Sequence, residues 1–342
     1  MSRQGPNVPQ VAAPISVCDR RGGAVADGNG PTLRQLGEFP MIDRLVAGRR
    51  QAAGVTVGPG DDAAVLIAPD GHVVVTTDML VEGRHFRLDW STPHDVGRKA
   101  IAQNAADIES MGARCSAFVV AFGAPPDTEA SRAQELADGM WQEAGGLGAG
   151  IVGGDLVASP QWVVSVTALG DLGGVAPVLR SGARAGSIVA VAGELGRSAA
   201  GYLLWHKGIG GFDDLRRRHL VPRPPYGQGI VAAEAGAQAM TDVSDGLLAD
   251  LGHIAAGSGV VIDLAVDQLR PDIEAVTAAA AAAGVEPLSL VLSGGEDHAL
   301  VACFADAVPR GWRVIGTVAD GTPGVTVDGR VWTGSAGWQS FD

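Results

Sequence analysis

The sequence predicts an α/β (α+β) chain of two domains with mixed sheets, on three observations. Short β-branched runs alternate with stretches of helical periodicity along most of its length. At 342 residues the chain exceeds one ordinary domain, for which ~100–200 is usual. A stretch containing Gly and Pro from Gly170 to Gly186 interrupts the pattern, and the domain boundary is placed near Arg180.

Residues 1–31 are rich in Gly, Pro and Arg without the apolar core of a secretory leader, and read as a disordered tail. Leu36–Leu45 reads as a short helix, and Val73–Thr77 as a buried strand after an acidic loop. Pro93–Met111 carries Val96, Ala100, Ile101, Ala105 and Ile108 at helical spacing, starts after Thr92 and stops at Gly112. Ala117–Gly123 is a strand, Ser131–Ala144 a helix, and Trp162–Leu169 a strand after a Gly153-Gly154-Asp155 turn. In the second half Ser187–Ala192 is strand-like and Ser198–Trp205 helical. Arg216–Pro225, basic and ending in prolines, reads as a loop before a Gly227–Ala239 helix. Ser244–Ala256 is helical, Val260–Leu264 a strand, Ala278–Ala283 helical, and Val291–Cys303 holds a Gly-Gly turn before a strand.

Charge narrows the function. The net charge is −13, which disfavours a nucleic-acid partner because a phosphate backbone would be repelled. Clustered carboxylates can still meet phosphorylated small molecules through Mg²⁺. Apolar runs stay short of the ~20 residues that span a bilayer, so no membrane partner is expected. Cys18, Cys115 and Cys303 are widely separated, with no disulfide framework or zinc spacing, and a cytoplasmic protein is expected. Only Lys99 and Lys207 are lysines, a bias read as codon usage.

Several acidic segments carry the chemistry. Gly58-Pro59-Gly60-Asp61-Asp62 presents adjacent carboxylates, although such a turn in isolation more often caps local amides. Thr76-Thr77-Asp78 places hydroxyls and a carboxylate at the expected end of a strand, where ligands of α/β sheets collect. Asp107, within an apolar helix, needs a partner, a metal or the solvent face. Asp242-Val243-Ser244-Asp245-Gly246 precedes a helix, so it can meet anions through amides and cations through carboxylates, or simply cap the helix. Gly294-Gly295-Glu296-Asp297 has the same two readings. Residues 148–153 fit G-x-G-x-x-G, but a turn and strand follow where a dinucleotide site needs a helix. Walker, protein-kinase, G-x-S-x-G and H-E-x-x-H patterns are absent.

Together these segments resemble the thiamine-monophosphate kinase family, in the superfamily typified by aminoimidazole ribonucleotide synthetase. The likeness runs from Gly37 through GPGDDAAVL at Gly58, TTDMLVEGRHF at Thr76 and KAIAQNAADIESMGA at Lys99. It continues through GGD at Gly153, RSGARAG at Arg180, DVSDGLLADLGHI at Asp242 and SGGEDH at Ser293 to Gly337-Trp338. His298 stands where the family often has tyrosine.

The resemblance implies an aminoimidazole ribonucleotide synthetase-like fold. An N-terminal ATP/Mg²⁺-binding and dimerisation domain would span residues 32–180, and residues 181–342 would complete the active site of a homodimer. It implies transfer of the ATP γ-phosphoryl to thiamine monophosphate with several Mg²⁺ ions. By motif position, Asp62, Thr76, Thr77, Asp78, Asp107, Asp155, Asp242 and Asp245 would form the metal shell, with Asp61 a further member. Gly154, Asp155, Arg180 and Ser244 would contact ATP, and His85, Glu296 and Trp338 thiamine monophosphate. No residue is needed as general base or covalent nucleophile. The alternatives are a sister ATP-dependent enzyme with another small substrate, or a non-catalytic nucleotide- and Mg²⁺-binding protein.

Overall fold

The computed structural model describes residues 30–59 and 63–338. Most of the expected tail, Cys18, Asp61 and Asp62 lie outside the described residues.

The helix expected over 36–45 is two pieces, α1 (Leu33–Leu36) and α2 (Glu38–Val46), because Gly37 breaks the run at φ +79°. A hairpin, β1 (Val55–Val57) and β2 (Val65–Leu66), precedes β3 (Val74–Val81). Thr76-Thr77-Asp78 therefore lies in mid-strand and not at a strand end, since β-branched threonine continues a strand as valine does. In α3 (Pro93–Ser110) the expected start is a capping box: the Thr92 hydroxyl accepts the Asp95 N–H, and the Asp95 carboxylate accepts the Thr92 N–H. β4 (Arg114–Ala124), α4 (Ala130–Gly146), β5 (Gly150–Ala158) and β6 (Val163–Asp171) follow.

These strands form a four-stranded sheet ordered β3-β6-β4-β5, antiparallel except for β4 with β5. The Gly153-Gly154-Asp155 turn is thus corrected to part of β5. Glycine is required at 154 by strand packing, because a Cβ there would collide with the Val120 carbonyl of β4. One face of the sheet buries Leu80, Phe118 and Val166 against Ile101 and Ile108 of α3. The other face carries the alternate residues and leaves Val75, Met79 and Val157 at least half exposed.

The second half supplies β7 (Ile188–Ala192), α5 (Arg197–His206), α6 (Asp213–Leu220) and α7 (Gln228–Glu234). It continues with β8 (Ala239–Asp242), α8 (Leu247–Ser258), β9 (Val261–Leu264), α9 (Arg270–Ala283) and α10 (Pro287–Ser293). The last strands are β10 (Leu300–Phe304), β11 (Arg313–Ala319), β12 (Gly324–Val327) and β13 (Arg330–Val331). Their sheet is ordered β13-β12-β9-β11-β7-β10-β8, with only β12 and β9 parallel. Leu251, Val276 and Val291 cover one face, and Ala232, Met240, Phe304 and Trp312 pack on the other.

Two expectations here are corrected. The basic run from Arg216 lies largely in α6, whose Asp213 and Asp214 sit in the first turn and Arg217, Arg218 and His219 in the last, the arrangement that complements a helix dipole. The helix expected to Ala239 stops at Glu234, and after Gly236 at φ +78° the chain becomes the fully buried β8. Among the described residues no single helix is long and apolar enough to cross a membrane; one bent pair, Val266–Ala283 with Pro287–Ser293, passes by composition. Val276, Ala280, Val291 and Leu292 of that pair are buried in the protein's core.

Candidate active site

Helix α3 lies over β3 with its direction reversed, and polar side chains one turn apart grip successive positions of the strand. The Thr76 hydroxyl donates to Asp107 Oδ2 over 2.8 Å, and Gln103 Nε2 donates to Asp78 Oδ2 over 3.1 Å. Asn104 Oδ1 accepts the Asp78 N–H over 3.0 Å. One turn further back, Lys99 Nζ donates to the His85 carbonyl over 3.0 Å. The carboxylates of Asp78 and Asp107 thereby face the helix side of the sheet. Thr77 points to the open face, bonding the Val166 carbonyl and the Thr167 hydroxyl at 3.0 and 3.2 Å. Asp155 shares that open face through its register with Ala121, and its carboxylate accepts the Leu156 N–H.

Strand β8 enters from the second sheet and packs on α3. It delivers Asp242 at its end, followed by Asp245 in the loop before α8. The charges crowd one another. Burial, then the negative charges of Asp242 and Asp78, push the Asp107 carboxyl up to about 7. Burial and the charge of Asp242 also raise Asp245. Thr76, Asp78, Asp107, Asp242 and Asp245 therefore come together, although no three His, Cys, Asp or Glu among the described residues already stand in metal-site geometry.

The loop after β8 is stitched to the two segments that the sequence singles out beyond it. The Ser244 carbonyl accepts the Glu296 N–H over 2.7 Å, and the Val243 carbonyl accepts the His298 N–H over 2.9 Å. The Trp338 N–H donates to the Asp245 carbonyl over 2.9 Å, while 57% of Trp338 remains exposed. Arg180 is exposed beside β8, its Nε donating to Thr241 Oγ1 over 3.3 Å. Gly154 lies on β5 in the row Asp78–Val166–Val120–Gly154, across the first sheet.

Glu296 adopts φ +62°, rare for a side chain of its size. Its Oε1 lies 3.0 Å from Lys99 Nζ and its Oε2 3.3 Å from His219 Nδ1. Burial disfavours its charge, but Lys99 above all holds the carboxyl down at about 2. His85 is half-buried, and its Nδ1 accepts the Val81 N–H over 3.0 Å, which leaves Nε2 to carry the ring proton. The neighbouring Asp297 is structural: it accepts the N–H groups of Gly196 and Ser198 and so caps α5.

Several participants escape the motif reading. Asp250 accepts the N–H groups of Asp245 and Gly246 at 3.1 and 3.0 Å, so α8 is capped from inside and not by Asp242, Ser244 or Asp245 side chains. Burial and the charge of Asp242 push Asp250 up to about 7. His298 Nδ1 lies 3.0 Å from Asp242 Oδ2. Burial opposes its cation, but Asp242 raises it. Lys99, whose rarity in the composition points only to codon usage, is 2% exposed. A carboxylate in the first turn of a Gly-started helix, and the 99, 103, 107 spacing on one helix face, are the signals that point to Asp250 and Lys99.

Two mixed sheets thus meet at a cluster of carboxylates, Asp78 and Asp107 from the first half and Asp242 and Asp245 from the second. Residues 60–172 match the AIR synthase related protein N-terminal domain and residues 184–328 its C-terminal domain, and the chain belongs to that family. It is 70% identical over 311 residues to the thiamine-monophosphate kinase of Mycobacterium tuberculosis, covering 91% of this chain and 93% of that one. The crystal structure of thiamine-monophosphate kinase from Stenotrophomonas maltophilia K279a superposes with a TM-score of 0.72 at 31% identity, covering 85% of this chain and 95% of that one. AaThiL complexed with AMPPCP and TMP superposes with a TM-score of 0.69 at 30% identity, covering 90% and 98% respectively.

Proposed function

We propose that this chain transfers the γ-phosphoryl of ATP to the phosphate of thiamine monophosphate, giving thiamine diphosphate and ADP, the reaction of a thiamine-monophosphate kinase. The observation that carries this reading is the convergence of Asp78 from β3, Asp107 from α3, and Asp242 and Asp245 from β8 and the loop after it, with Asp107 raised to about 7 first by burial and then by the charges of Asp242 and Asp78. Similarity to M. tuberculosis thiamine-monophosphate kinase along nearly the whole chain supports the choice of acceptor.

The acceptor phosphate has a second pKa near ~6, so at neutral pH it is largely a dianion and needs no proton removed. The work of the site is to hold two anions in line and offset their repulsion. The crowded carboxylate oxygens fit a hard dication in kind, and Mg²⁺ when bound supplies the positive charge that phosphate oxygens need. Thr76, Asp78, Asp107, Asp242 and Asp245 would hold it, and by motif Asp62 and Asp61 belong to the same assignment. Thr77 and Asp155 belong to the same assignment by motif but stand on the open sheet face. Arg180, Ser244 and the Gly154 backbone would orient ATP.

Glu296 offers a fixed negative charge to the thiazolium, Trp338 an exposed ring for it to stack on, and His85 Nε2 a donor. In this reading residues 32–180 carry the nucleotide side and residues 181–342 complete the site. The protein acts as a homodimer in the cytoplasm. The open apolar face around Val75, Met79 and Val157 supports the dimer, and the free Cys115 and Cys303 suit a reducing compartment.

The test is ADP release with ATP and Mg²⁺, with and without thiamine monophosphate, while thiamine diphosphate is followed by chromatography. Stoichiometric thiamine diphosphate is expected. ADP release indifferent to the acceptor would overturn the reading.

A further inference from the structure

Among the described residues Lys99 is one of the largest fully buried side chains, 2% exposed in a chain where lysine is otherwise found only at position 207. An ammonium in such a place needs all three of its N–H groups bonded and an opposite charge close by. Each need is met by a different segment. Glu296 Oε1, from the loop before β10, lies at 3.0 Å; the His85 carbonyl, after β3, at 3.0 Å; and the His219 carbonyl, at the last turn of α6, at 3.4 Å. The lysine itself comes from α3, so one buried cation ties the first sheet's helix to two segments of the second half.

The bonds are placed so that they orient the groups facing the acceptor. The Glu296 backbone is held at φ +62° by its bond to Ser244, and its carboxylate is gripped at both oxygens, by Lys99 and by His219 Nδ1 at 3.3 Å. A third of that side chain stays exposed, so the carboxylate keeps lone pairs for a ligand. His219 is neutral at pH 7, since burial and then Lys99 lower it to about 4. A neutral ring beside Glu296 leaves Lys99 as the cation that holds the carboxylate, and the ring's Nδ1 also lies 3.3 Å from Ser198 Oγ. On the other side Lys99 fixes the carbonyl of His85, whose ring is already set by the Val81 N–H. None of these contacts involves the carboxylates assigned to Mg²⁺.

We propose that Lys99 is the positioning residue of the acceptor side, holding Glu296 and His85 in the mutual arrangement that receives the cationic thiamine moiety. This rests on the function proposed above. Lys99 touches no reacting atom; it acts through the two residues it clamps, and its loss falls on thiamine monophosphate and spares ATP.

The experiment compares steady-state kinetics of the full-length chain with K99M, K99R and K99Q, and adds E296Q alone and in combination with K99M. For K99M the KM for thiamine monophosphate rises at least tenfold while the KM for ATP stays within about twofold. K99R recovers part of the loss, and K99Q, which can donate but carries no charge, recovers less. In the double variant the second substitution adds little to the first. With the charge at residue 99 lost, burial raises the Glu296 carboxyl, so the KM for thiamine monophosphate becomes more pH-dependent in K99M and K99Q than in K99R and the unaltered chain.

An unchanged KM for thiamine monophosphate in K99M, or parallel loss for both substrates in all three variants, overturns the proposal. If K99M does not fold, K99Q and K99R carry the same comparison. If the unaltered chain makes no thiamine diphosphate, the functional reading falls by itself. Calorimetric binding of thiamine monophosphate to the unaltered chain and to K99R then still decides whether Lys99 orders an acceptor site.

Discussion

Asp250 reaches back from the first turn of α8 and accepts the backbone N–H of Asp245 over 3.1 Å, so one carboxylate fixes the loop that presents the other. The two stand five positions apart in adjoining space, yet only Asp245 is assigned to the metal. Opposite mutational signatures follow. Asp245→Asn removes charge from a crowded cluster, so the melting temperature stays level or rises while turnover falls at least 100-fold; Asp78→Asn behaves alike. Asp250→Ala leaves two amides without acceptors and costs about 2 kcal/mol. Melting curves beside an ADP-release assay check both, and normal turnover in Asp78→Asn and Asp245→Asn would remove the metal assignment.

The pH dependence of stability has a definite sign. Asp107, Asp250 and Asp297 are each pushed up to about 7 in the folded chain, first by burial, against about 3.9 when unfolded. The folded state then binds more protons between those values, so stability is present at low pH and lost as pH rises through about 7. His219, lowered to about 4 by burial, acts in the opposite sense between about 4 and 6.5. In EDTA the melting temperature falls as the pH rises from about 5 to about 7 and levels off above that. Added Mg²⁺ raises it more at pH 8 than at pH 5.5, and scanning calorimetry at these pH values reads both effects.

Trp338 is exposed and contributes its backbone, not its ring, to the site's framework. Trp338→Ala is expected to raise the KM for thiamine monophosphate several-fold, with the KM for ATP and the melting temperature nearly unchanged. Equal loss toward both substrates would make the ring a structural element.

The seam between α3 and α4 is closed by glycine on each side. A Cβ at Gly97 would collide with the Leu136 carbonyl, and one at Gly139 with the His94 carbonyl. Gly97→Ala should cost about 3 kcal/mol through forced separation of the two helices. Urea denaturation would measure it.

The sequence was most legible where local signals agree with tertiary demands. Thr92, Pro93 and Gly112 delimit α3 as their chemistry predicts. It misled where a residue's reason was remote: Gly154 looks like a turn until β4 is alongside, and Thr77 joins Asp78 in sequence while facing the opposite side of the sheet. The acidic residues were visible, but which of Glu296 and Asp297 caps a helix depends on α5 arriving from a hundred residues earlier. Asp250 and Lys99 went unread because burial, which turns an ordinary charged side chain into a structural clamp, is a property of the assembled fold.

Helix α3 bonds the carbonyl of His85 through Lys99 and the hydroxyl of Thr76 through Asp107. The eight steps from position 99 to position 107 span about 12 Å at ~1.5 Å of rise each. The interval between the acceptor end and the carboxylate end is therefore written in helix turns, as on a measuring rod. Substitutions on its outward faces leave that length alone. One residue inserted between positions 99 and 107 would swing everything downstream by about 100°, carrying Asp107 away from Thr76 while Lys99 kept its place. Over evolutionary drift this stretch is free to change letters far more than it is free to change count.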